Sequence, residues 1–108
     1  MDKYLSKGGV NMSNYKFKTT FWSDFSIADR FGVDAIQDTF NRAFKEWRGN
    51  YVYLTELVLV LNWKLCHHYN NGNYTFAEVY DKLWREADNY ACENLKGSEL
   101  SYFRRTVD

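Results

Sequence analysis

Cys66, His67, His68 and Cys92 are the only cysteines and histidines in the 108-residue chain, and they are the residues that could hold a metal ion or act as a nucleophile. The first three are consecutive. Neighbours on a helix point about 100° apart, so they cannot converge on one ion. No Cys-x-x-Cys or His-x-x-x-His spacing occurs. The cysteines fall on separate expected helices and read as two buried thiols in a reducing compartment. No metal and no cofactor is expected. His67 and His68 read as helix-end residues, where a cation suits the helix dipole. Glu56 falls in the first turn of an apolar helix and Glu78 in a capping box, so both read as structural. No Gly-rich phosphate loop, nucleophile elbow or Ser/His/Asp set is present. The expectation is a protein that is not an enzyme.

A second chemistry is phosphate contact. The stretch Phe25-Ser-Ile-Ala-Asp-Arg-Phe-Gly-Val33 has the layout of the first half of a helix-turn-helix, with Ala28 mid-helix and Gly32 in the turn. Arg30, Arg42 and Lys45 would then reach DNA. The second half departs from the pattern. The motif buries positions 38 and 41, here Asp38 and Asn41. Asp34 and Asp38 would also repel phosphates where such a helix meets DNA. A helix–Gly–helix corner is the simpler reading, and DNA binding stands as the alternative function.

A third chemistry is recognition of protein. The chain carries four Trp, nine Tyr and eight Phe. Most must fill the core, but Tyr and Trp also anchor interfaces. Leu59, Val60, Trp63, Tyr53 and Tyr69 lie off the main apolar stripes or near helix ends. They are the expected protein interface, with a homodimer or a heteromeric contact near Trp63.

The elements that position these residues follow from periodicity. Leu54, Leu57, Val58, Leu61 and Leu65 fall at i, i+3, i+4, i+7 and i+11, one face of a helix. Leu59, Val60 and Trp63 widen that face until the helix is apolar nearly all round. Such a helix is wrapped by other elements or holds a partner. Thr55 is its expected cap, and it ends near His68 or Tyr69. A buried strand competes, but the run continues through Asn62-Trp63-Lys64 without a turn signal. Before it, Ser23 or Asp24 caps a short helix over 25–31 that Gly32 ends. Asp34 and Gln37 stand in a capping-box relation for a second helix with the stripe Ile36, Phe40, Ala43, Phe44 and Trp47. After it, Thr75-Phe-Ala-Glu78 reads as a capping box for a fourth helix. Ser98 caps a short last helix whose Leu100 and Phe103 cover the core. The fold class is all-α: a compact bundle of three main helices plus a short leading and a short closing helix.

Residues 1–20 read as a flexible arm and 21–108 as one helical domain. Phe17 and Phe21 should lie on the helices. Lys7-Gly8-Gly9 can be encoded by a ribosome-binding sequence, so Met12 is the expected natural start and residues 1–11 a translated leader. The formal charge is zero, from 14 basic and 14 acidic residues. No net field therefore favours nucleic acid or an anionic membrane. No apolar run reaches membrane-spanning length, and a cytosolic setting is expected.

Asp24-Phe-Ser-Ile-Ala-Asp-Arg-Phe-Gly, Asp38-Thr-Phe-Asn-Arg-Ala-Phe-Lys-Glu-Trp47, Leu54-Thr-Glu-Leu and Leu61-Asn-Trp-Lys together resemble small helical proteins encoded by phages and mobile elements of Gram-positive gut bacteria. The likeness extends from about residue 20 to 108 and includes Leu95-Lys-Gly and Ser101-Tyr-Phe. It implies a bacterial cytosol and a phage accessory role, and carries over no catalytic or binding residue. The expected function is a non-enzymatic module that binds a host or phage protein.

Overall fold

The computed structural model describes residues 15–108. The expectations for a leader and a start at Met12 lie outside the described residues. Among the described residues there are five α-helices: α1 Phe21–Asp29, α2 Val33–Trp47, α3 Tyr51–Asn70, α4 Tyr74–Asn94 and α5 Gly97–Val107. The all-α class and the five-helix count agree with the apolar periodicity.

α3 is the axis of the bundle. Every residue from Leu54 to Cys66 is buried. α4 packs along it most extensively, α5 lies across it, and α1 and α2 close the remaining side as a pair. Leu54, Leu57, Val58 and Leu61 fill the centre with Phe25, Ile36, Phe40, Tyr80, Leu83 and Phe103. α3 starts one turn earlier than Thr55 suggests. Asn50 is the cap: its side chain accepts from the Val52 and Tyr53 N–H groups at 3.0 and 3.2 Å. Thr55 sits inside the helix and donates to the Tyr51 carbonyl at 2.7 Å.

Other boundaries move for similar reasons. Gly32, at φ 111°, is the residue before α2, so Asp34 lies within the helix rather than capping it. That φ favours glycine and makes the corner between α1 and α2. Asn73 precedes α4, and Thr75 is inside it. The expected Thr75–Glu78 capping box is therefore not formed, and Asn73 makes no side-chain cap in its place. α1 begins at Phe21, behind Thr20, whose hydroxyl donates to Asp24 at 2.9 Å. α5 is longer than the short turn expected and runs to Val107.

Candidate functional site

Residues 15–20 reach back to the middle of α3, where Glu56 receives them. Glu56 is fully buried, and all its partners are donors from the arm. The Lys18 and Thr19 N–H groups donate at 2.8 and 3.0 Å, the Thr19 hydroxyl at 2.7 Å and the Tyr15 hydroxyl at 3.1 Å. Glu56 lies a turn deeper than the helix start, so its task is to hold the arm rather than to meet the dipole. Burial, and then the Glu56 carboxylate beside it, push the Tyr15 phenol well above its ordinary value. Tyr15 and Phe17 set their rings edge-on to Trp63 at 6.0 and 5.7 Å. These described residues of the arm are pinned, not free.

That placement corrects the expected interface. Leu59, Val60 and Trp63 are buried within the chain's own core. Tyr15 and Phe17 cover one side of α3, and α5, with Phe103 and Val107 buried, lies across it. Tyr53 is half-buried, 4.5 Å from Trp47 ring to ring. Tyr69 is half-buried too, against Tyr74 at 5.5 Å. The cover that α3 requires is supplied by its own chain, so this face is not open to a partner.

A second polar cluster lies between α1, α3 and α4. Asp29 Oδ2 accepts from Lys64 Nζ at 3.0 Å and from His68 Nε2 at 3.1 Å, and Oδ1 accepts from the Tyr80 hydroxyl at 2.5 Å. Lys64 is buried; it also donates to Ser26 Oγ at 2.7 Å and sits 4.3 Å above the Trp22 ring. His68 Nδ1 faces the Asn73 amide nitrogen at 3.2 Å. The amide nitrogen can only donate, so Nδ1 accepts and Nε2 carries the proton toward Asp29. Tyr80 stacks flat on the His68 ring at 5.4 Å. Burial alone would raise the Asp29 carboxyl, but the bonds from His68, Tyr80 and Lys64 outweigh it and hold it below the usual carboxylate range. Burial, and then its bond to Asp29, push the Tyr80 phenol up.

Asp, Lys, His and Tyr are the side chains of acid–base catalysis, but here each is spent on another. The carboxylate is saturated by three donors. Among the described residues, neither the depression of about 470 Å³ nor that of about 290 Å³ is lined by any of these four residues. The cluster is a lock that fixes α1 in rotation. Trp22, Ser26 and Asp29 share one face of α1, at i, i+4 and i+7, and that face is held inward.

The opposite face of α1 is the open one. Ile27 is 55% exposed and Phe31, in the turn after α1, is 77% exposed. They flank a groove of about 470 Å³ between α1 and α2. Its apolar wall includes Phe21, Ala28, Ala35, Ala43 and Trp47, and Asp24, Arg42 and Glu46 supply its charges. A smaller depression of about 290 Å³ lies between α3 and α4, with Tyr69, Tyr74 and Arg85 in its lining.

The residues of the DNA alternative sit on this corner. Arg30 and Lys45 are exposed, and Arg42 is in the groove. Arg42 shares that groove with two carboxylates, and Asp34 and Asp38 are exposed along α2. Asp38 and Asn41 face solvent, contrary to a helix-turn-helix register. His67 is exposed as a helix-end residue, whereas His68 is buried in the lock, which the sequence reading missed. The signal for it was present: Lys64 and His68 are spaced i, i+4 on the side of α3 that α1 covers. Cys66 is buried on α3 as expected, but Cys92 is exposed on α4, which corrects the expectation of two buried thiols. Burial, and next the charge of Asp88, raise the Cys92 thiol, which leaves it a poor nucleophile.

Comparison with known protein families, with curated proteins and with solved structures finds no match for the chain. Among the described residues, no helix is long and apolar enough to cross a membrane.

Proposed function

We propose that this protein is a non-enzymatic helical module that binds another protein through the α1–α2 face, in the setting of a phage accessory protein acting in a bacterial cytosol. One observation carries the reading. Ile27 and Phe31 stand exposed together in the lining of the groove between α1 and α2, and among the described residues Tyr74 is the other large apolar side chain left so exposed. Clustered apolar surface of this kind marks interaction sites. The lock behind α1 supports the same reading, because a wall held in one rotation presents its anchors without an ordering cost on binding.

The test is affinity capture from host cells, with and without phage infection, using the wild-type chain and Phe31→Asp side by side. Phe31 is largely solvent-exposed, so the variant should keep its fold by circular dichroism. A protein retained by wild type and lost by Phe31→Asp, then reconstituted from purified components, supports the reading. Retention of the same protein by both chains removes the α1–α2 face from consideration.

A further inference from the structure

We propose that the α1–α2 face joins two copies of this chain in a weak, twofold contact. This rests on the reading of that face as an interface and names its occupant. An isologous contact needs one patch that carries both halves of the fit, since residue i meets j and j meets i across the axis. This patch does so in shape. Phe31 projects beside a concave groove of about 470 Å³, so one protomer's Phe31 can enter the groove of its partner while receiving the partner's in return.

The patch is also self-complementary in charge. Asp24 and Glu46 stand in the same groove as Arg42. A groove of one sign would select a partner of the other sign and repel a second copy. A groove bearing both lets each Arg42 meet a carboxylate across the axis. The whole chain adds no repulsion, having 14 basic and 14 acidic residues.

Size sets the strength. At 1.5 Å per residue α2 is about 22 Å long, and two helices side by side are roughly 20 Å wide, which gives on the order of 450 Å² per copy. The total of roughly 900 Å² is below the ~1,200 Å² at which stable complexes begin. The dimer is therefore concentration-dependent, with dissociation in the range of tens to hundreds of micromolar (an order-of-magnitude expectation).

Sedimentation equilibrium of the full chain from about 5 µM to about 500 µM tests this across the expected range. The mass should rise from 12.9 kDa toward twice that value. Phe31→Asp and Ile27→Asp should stay monomeric throughout with unchanged circular dichroism. Tyr74→Asp, at an exposed aromatic away from the groove, should dimerise as wild type does. A wild-type monomer at every concentration overturns the second copy as occupant and leaves the interface reading to the capture experiment. A dimer that survives both Phe31→Asp and Ile27→Asp overturns the α1–α2 face as the site of self-association, while the reading of that face as an interface stands or falls with the capture experiment.

Discussion

Asp29 and Glu56 are the two carboxylates on which the fold's side-chain polar bonds converge, and each does its work by accepting several donors at once. Asp29 has a folded pKa below its ordinary value. Its contribution to stability is therefore present above the unfolded value, about 3.9, and lost as pH falls through the depressed folded value. Urea midpoints should fall as pH drops below about 4, and Asp29→Asn should flatten that part of the profile. At neutral pH the same variant leaves Lys64 buried without its counter-charge, which costs about 3–5 kcal/mol. An unchanged acid limb in Asp29→Asn would show that other carboxylates carry the dependence. Glu56→Gln presents one oxygen and an NH₂ group to four donors. Hydrogen bonds to a charged group are worth about 1.5–3 kcal/mol, and a loss of that order is expected in a denaturant melt. Limited proteolysis should then cut within residues 15–20. Resistance equal to wild type would mean that Tyr15 and Phe17 on Trp63 hold the arm alone.

α3 is the element the others serve. Leu61 is fully buried at its centre, so Leu61→Ala should cost about 2–5 kcal/mol. A shift under ~1 kcal/mol would contradict its place in the core. Asn50→Ala removes the acceptor for two helix N–H groups and should cost about 0.5–2 kcal/mol, whereas Thr55, inside the helix, has no capping contribution to lose. Much of α3 was legible, because its stripe recurs with helical spacing and nothing in it breaks a helix. Its start was not. Tyr51-Val52-Tyr53 fits a helix or a strand, and it becomes helical where Tyr51 rests on Tyr102 at 5.3 Å, a contact between residues distant in sequence. At α4 the reason is local: Asn73, the residue before the helix, gives its amide to His68 five positions back and makes no side-chain cap. The lock was illegible as a unit. Asp29 meets Lys64, His68 and Tyr80 across separations of 35, 39 and 51 residues, beyond any local pattern. Of its members, His68 had a reading of its own, at a helix end, and nothing local joined it to the others.

Spare apolar surface in this molecule lies at its leading corner and not along α3. The sequence makes α3 look under-covered, since it is apolar nearly all round. The structure covers it with the arm and α5, and leaves Ile27 and Phe31 of the leading corner in solvent instead. Gly32 marked that corner correctly; the side chains around it read as a plain helix–Gly–helix corner with DNA as the alternative, and their exposure was not legible. With Asp24, Glu46, Asp34 and Asp38 among the basic residues there, duplex DNA should not be bound specifically at physiological salt. Nanomolar binding that falls steeply with salt and is lost in Arg42→Ala would reverse that assignment.

On the proposed reading, association uses the α1–α2 face and not α3. Amide hydrogen exchange, compared between dilute and concentrated chain and between free chain and any captured partner, tests it most directly. Added protection is expected in residues 20–47, with 51–70 unchanged. Protection centred on Tyr53, Trp63 and Tyr69, with 20–47 unaffected, would contradict it.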